Sequence, residues 1–151
     1  MKLEYVEAQY EDVLLLINLY NKSFYDDYVK YGECPAYGKT EEQMRQAIDR
    51  VPKDIIICDD TPVGVISLHN KGNGQYYLGC LCVVPEYQGK NIGTQAFMHI
   101  LHSHPDWRKI TLVTPADKPE NIRFYTEKCG FHIGDIALDG GVEVINLFME
   151  R

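Results

Sequence analysis

The stretch Val83-Val84-Pro85-Glu86-Tyr87-Gln88-Gly89-Lys90-Asn91-Ile92-Gly93-Thr94 constrains this chain more than any other. An apolar strand meets a proline stop, passes through a polar glycine-containing loop and enters an amphipathic helix. That order directs several backbone N–H groups at one point ahead of a helix N-terminus. Unsatisfied N–H groups and the helix dipole both favour negative charge there, so the unit reads as a site for phosphate or another anion.

The rest of the chain supplies the elements around this unit. Leu3 to Ala8 reads as a strand, and Asp12 to about Phe24 as a helix with Val13, Ile17, Tyr20 and Phe24 on one stripe. Tyr25 to Gly38 reads as irregular and tyrosine-rich. Thr40 with Gln43 three residues on forms a capping box for a second helix that ends before Pro52. Asp54 to Cys58, Val63 to His69 and Gln75 to Val84 read as strands separated by turn residues. A helix follows from Asn91 to about Ser103, then a strand from Lys109 to Thr114. Asp117 is the expected cap of a helix with Pro119 in its first turn and Gly130 at its end. Phe131 to Leu138 and Val142 to Met149 close the chain as a hairpin around Asp139-Gly140-Gly141. The result is one α/β domain spanning 1–151, with about seven strands and about four helices in an order unlike a doubly wound nucleotide fold.

The stretch Val83 to Thr94 resembles the pyrophosphate-binding loop of the GNAT-type N-acetyltransferases: Gln88 and Gly93 match its pattern, with Asn91 in place of that pattern's first glycine. Asn tolerates a left-handed backbone and can cap the helix it precedes. Asn121-Ile122-Arg123-Phe124-Tyr125-Thr126-Glu127-Lys128-Cys129-Gly130-Phe131 resembles the same family's second signature. The resemblance covers nearly the whole chain. It implies the GNAT fold: a mixed, mostly antiparallel sheet whose central strands, the one before Pro85 and Lys109 to Thr114, splay apart. It implies acetyl-CoA as cosubstrate, held by backbone at Cys82, Val83 and Val84, by Gln88, Gly89, Lys90, Asn91, Ile92, Gly93 and Thr94, and by Asn121. It also implies Tyr125 as the acid that protonates the departing thiolate. The family's tyrosine stands four residues before the glycine. Tyr125 stands five before Gly130, with Thr126 in the usual place, and one helical residue is a turn of about 100°. Tyr125 therefore reaches the sulfur only if a bulge restores it.

Composition narrows the partners. A net charge of −7 argues against nucleic acid and would draw in a cationic substrate. Tyr25, Asp26 and Tyr28, in the tyrosine-rich stretch, are the candidate acceptor residues, since aromatic rings and carboxylates suit a cationic amine. Packing of an irregular connection explains the same residues equally well. Five cysteines lack zinc spacing and read as small buried hydrophobes; no metal is expected. No apolar run is long enough for a membrane span or a signal core, which points to the cytoplasm. Gly32 to Thr40 mimics a P-loop but has five residues between its glycines instead of four, and Pro35 removes one N–H.

The expected function is acetyl transfer to a primary amine of a small molecule or peptide. The base is open among water, Asp26, Asp27, Glu33 and His69, because Gln75 to Val84 contains no acid. That gap leaves a second reading, a CoA-binding sensor or interaction module without turnover. The resemblance also leaves a homodimer open.

Overall fold

The computed structural model describes residues 1–151. Seven strands form one sheet: β1 (Leu3–Glu7), β2 (Asp54–Cys58), β3 (Thr61–Gly72), β4 (Gln75–Val83), β5 (Lys109–Pro115), β6 (His132–Asp139) and β7 (Val142–Glu150). Their spatial order is β1-β2-β3-β4-β5-β7-β6. All neighbours are antiparallel except β4 and β5. Four helices complete the fold: α1 (Val13–Tyr31), α2 (Glu41–Arg50), α3 (Ile92–Ser103) and α4 (Pro119–Arg123), the last running directly into a π-helical turn at Phe124–Cys129. The mixed architecture matches the GNAT expectation.

Residues Val63 to Leu68 of β3 are all buried, on both faces of the sheet. Such a run requires cover on each side. Helices α1 and α3 both contact β3 and β4 and provide it. Phe97, Leu16, Met44, Ile56, Ile66 and Ile110 are fully enclosed in the resulting core. Truncating one of the aliphatic members would cost about 2–5 kcal/mol.

Two expectations change. Helix α1 does not stop at Phe24; it continues to Tyr31, and Gly32 ends it in the left-handed conformation at φ +74°. Tyr25, Asp26 and Tyr28 are therefore helical. Asp117 does not cap α4. Lys118 holds that position without a side-chain hydrogen bond, while the Asp117 carboxylate accepts from the Tyr31 hydroxyl at 2.6 Å. The capping box at Thr40 forms as read, with both reciprocal bonds present.

Two irregularities shape the sheet centre. The register between β3 and β4 jumps between the pairs Ser67–Cys80 and Leu68–Leu78, leaving Gly79 as a bulge. Strands β4 and β5 pair only from Gln75–Lys109 to Tyr77–Thr111. Beyond that β5 stays with β7 as far as Pro115, and the edge of β4 is left open.

Candidate active site

The open edge of β4 leads into the loop before α3. Backbone groups alternate along a strand. Val84 N–H donates to Val63 O at 2.8 Å, so Val84 faces β3, and Cys82, two residues back, faces it too. Of the backbone expected to meet the cosubstrate, only Val83 looks into the gap; Leu81, which sequence reading missed, is its companion. Alternation from a known ladder bond finds it, but that bond is not written in the sequence.

The loop itself is arranged by local rules. Pro85–Tyr87 forms a single 3-10 turn. The Gln88 side-chain amide donates to Val83 O at 2.9 Å, fastening the loop to the strand end. Gly89 and Asn91 adopt positive φ, +77° and +67°. Asn91 thus uses its tolerance of the left-handed region, but its side chain makes no cap bond, contrary to the second use expected of it. The first intrahelical bond runs from Gln95 N–H to Asn91 O. The N–H groups of Ile92, Gly93 and Thr94 precede it and have no helical acceptor. A Cβ on Gly93 would meet Phe124 Cζ at 3.2 Å, so the glycine lets α3 rest against the aromatic turn after α4. Lys90 stands exposed at the loop tip.

On the far side of the gap, the Asn121 side-chain amide donates to Thr114 Oγ1 at 3.2 Å and ties α4 to β5. Tyr125 lies within the π-helical turn. Gly130 N–H bonds to Tyr125 O, five residues back. A π turn absorbs one extra residue. The Thr126 hydroxyl donates to Ile122 O at 2.8 Å, a back-bond inside the helix that keeps this side chain out of the gap. Tyr125 packs edge-on to Phe124 and Phe131, with ring centroids 5.0 and 5.7 Å away. Burial pushes its phenol well above the ordinary tyrosine range; the thiols of Cys80, Cys129 and Cys82 push the same way. Cys80 and Cys82 belong to β4.

A cleft of about 940 Å³ opens on the opposite side of the splay, between the bulge of β4, the end of β5, helix α1 and the β6–β7 hairpin. Tyr20, Phe24, Asp27 and Tyr31 line it, spaced along one face of α1. Tyr25, Asp26 and Tyr28 do not. They are exposed, and Tyr25 and Tyr28 instead pack on Tyr37. The irregular stretch read from the sequence had hidden the helical phase that decides this. His69, Asp27 and Glu33 reach the cleft, while Asp26 does not. Two carboxylates there are engaged. Asp27 pairs with Lys118 at 2.5 Å, both largely buried, and Glu33 accepts Gly141 N–H at 2.8 Å, latching the hairpin over the cleft.

A sequence model of the Acetyltransferase (GNAT) family matches residues 15–131. This chain belongs to the GNAT acetyltransferase family. The uncharacterized protein YrkN of Bacillus subtilis (strain 168) is 38% identical over 80 residues, 52% of this chain and 43% of that protein. The match thus spans less than half the length of that curated relative. Among solved structures, an acetyltransferase from Thermus thermophilus superposes with a TM-score of 0.78 at 18% identity, over 100% of this chain and 98% of that one. The PaiA N-acetyltransferase of Thermoplasma acidophilum, solved with coenzyme A, gives 0.75 at 21% identity over 97% and 98%. The spermidine N-acetyltransferase of Vibrio cholerae, solved with CoA and spermine, gives 0.76 at 17% identity over 98% and 95%. At these identities the likeness is one of fold. Family membership places this GNAT protein among the acyltransferases. No helix is long and apolar enough to cross a membrane.

Proposed function

We propose that this GNAT protein moves an acetyl group from acetyl-CoA to the primary amine of a small molecule or peptide. The observation that carries the reading is the gap between β4 and β5. It has an uncapped helix N-terminus at one mouth and a cleft large enough for a small acceptor at the other.

The N–H groups of Ile92, Gly93 and Thr94, with the loop from Gln88, suit a pyrophosphate. The Val83 and Leu81 N–H groups suit the pantetheine and the thioester carbonyl, whose developing oxyanion they would stabilise. Asn121 holds the gap's far wall. An acceptor in the cleft meets the thioester across the splay, which removes much of the entropic barrier. The amine must be neutral to attack; at pH 7 a lysine-like amine loses its proton at a cost of about 4–5 kcal/mol. No side-chain hydrogen bond or ion pair engages His69, whereas Asp27 holds Lys118 and one oxygen of Glu33 accepts the Gly141 N–H. We therefore assign the proton to His69 or to water in the cleft. Tyr125 returns a proton to the departing thiolate. Burial makes its phenol a weaker acid, so the transfer relies on the same burial making the departing thiolate a stronger base.

The competing reading is a CoA-binding sensor, favoured by the absence of any carboxylate on β4. Tyr125→Phe separates the two, since it keeps the ring packing and removes only the hydroxyl. In a thiol-release assay with an active amine, kcat should fall at least tenfold while the CoA dissociation constant stays within about threefold. Unchanged turnover would refute the acid role. No thiol release across a broad amine panel, with CoA still raising the melting temperature, would favour the sensor.

A further inference from the structure

The charges of the cleft do not follow the acidity of the chain. Of its carboxylates, Asp27 is paired with Lys118, while Glu33, which accepts the Gly141 N–H on one oxygen, and Asp139 keep their charge. Its basic groups, Lys39, Arg50 and Lys53, take part in none of the protein's ion pairs. Three cations without an ion-pair partner thus face two carboxylates in the same condition, in a chain whose net charge is −7.

Lys53 is the telling member. It is only 8% exposed, in a connection between α2 and β2 that carries it under the cleft floor. Burying an ammonium without a carboxylate is costly, and proteins do not commonly do so without a compensating group. The side chain lies over the Tyr20 ring, with Nζ 5.8 Å from the centroid. Tyr20 is itself 3% exposed and lines the same cleft. Its hydroxyl has no hydrogen-bond partner apart from the nearby thiol of Cys80, a weak acceptor. A buried phenol without an oxygen partner and an ammonium outside any ion pair therefore stand side by side on one wall of the cleft. Lys39 and Arg50 add positive charge at the mouth. Burial holds the Lys53 ammonium below the ordinary lysine range. Lys39 and Arg50 push the same way, and Cys80 and Cys82 oppose them.

We infer that the acceptor carries an oxyanion, a carboxylate or a phosphate, as well as its amine, and that Lys53, Arg50 and Lys39 receive that group with help from the Tyr20 hydroxyl. This rests on the acetyl-transfer reading above and narrows its substrate class to zwitterionic amines. It departs from the expectation, drawn from net charge, of a simple cationic amine. Arg50 and Lys39 fix orientation; Lys53, being desolvated, supplies most of the discrimination.

The test compares matched acceptors. The common L-amino acids and O-phosphoserine are assayed for thiol release against their C-terminal amides, with putrescine and spermidine alongside. The best acceptor should bear an oxyanion, and the matched compound lacking that group, the amide for a carboxylate or serine for a phosphate, should show a KM at least tenfold higher. O-phosphoserine against serine tells a phosphate from a carboxylate as the preferred group. In Lys53→Met the acid form should lose at least tenfold in KM while its amide changes less than about threefold; Arg50→Gln should show the same split more weakly. Preference for putrescine or spermidine, or equal losses for acid and amide in Lys53→Met, overturns the inference. A second measurement needs no turnover. Inorganic phosphate is titrated calorimetrically into protein saturated with CoA, which occupies the loop before α3. One site should appear in the wild type and weaken at least tenfold in Lys53→Met. If no amine is acetylated but this site is present, the transfer reading fails and the anion site stands. If phosphate binds neither protein, or both alike, the anion site fails.

Discussion

Gly64→Ala probes the sheet at the point on which the gap depends. Gly64 is buried in β3 opposite Val83. A Cβ added there would lie 2.2 Å from the Cys82 carbonyl oxygen and 3.2 Å from Val83 Cα. Real Cβ atoms essentially never come within 3.0 Å of such an atom, so β3 and β4 must part by at least about 0.8 Å. The adjacent Val84 N–H to Val63 O bond is 2.8 Å long. The same opening stretches it to about 3.6 Å, beyond a useful hydrogen bond. Both obstructing partners are backbone, and no rotamer change relieves them. Overpacking of a tight core costs about 1–3 kcal/mol and a lost ladder bond about 1 more, giving about 2–4 kcal/mol in all. With a urea slope of about 2 kcal/mol per molar, the unfolding midpoint should fall by about 1–2 M. The displacement also moves Val83 and the loop anchored on it by Gln88, so the KM for acetyl-CoA should rise several-fold. Gly79→Ala is the control. Its Cβ would meet nothing closer than Tyr77 at 3.7 Å, and it should cost less than about 1 kcal/mol. A Gly64→Ala midpoint within about 0.3 M of wild type, or equal effects from the two variants, would refute the close-approach argument.

Asn91→Gly should leave stability within about 0.5 kcal/mol, while Asn91→Ala should lose about 1 kcal/mol in urea melts and weaken CoA, because alanine resists the left-handed region that Asn91 occupies. Asp27→Asn breaks the largely buried pair with Lys118 that ties α1 to the chain before α4; about 1–2 kcal/mol is expected, a drop of about 3–6 °C by thermal melting. Two groups predict pH slopes of opposite origin. Asp117 is held below the ordinary carboxylate range first by the Tyr31 hydroxyl and then by Lys30 against some burial. Its stabilisation is complete above the unfolded pKa near 3.8 and is lost as pH falls through the lower folded value, so Asp117→Asn should flatten the acid limb of a stability profile. Lys53 is held below 10.5, which makes it a penalty below its folded pKa that is relieved as pH rises toward the unfolded value. Lys53→Met should therefore be more stable than wild type at pH 7, with the difference shrinking at alkaline pH.

Much of this molecule was legible beforehand. Periodicity and punctuation located every strand and helix, since Pro52, Pro85, Pro105 and the turn residues stop elements by local sterics. The capping box at Thr40 closes over four residues and was equally readable. Errors arose where the partner was remote. Asp117 resembled a cap until Tyr31, 86 residues away, claimed it. Helix α1 outran its apolar stripe because Tyr25 to Tyr31 are polar or exposed on the outer face, and only Gly32 marks the stop.

The sequence by itself determined the shape of the loop before α3, because its geometry rests on a proline, on residues that accept positive φ and on a helix start, all within a dozen positions. It also carried the order of strands from which the family follows. The tertiary structure alone decided what the gap faces. The π turn at Tyr125 depends on a five-residue backbone bond, and the bulge at Gly79 depends on the register of a neighbouring strand. The meeting of Lys53 with Tyr20 brings together residues from separate elements. Their chemistry is set by burial, which no local pattern encodes and which only the packed sheet and helices create.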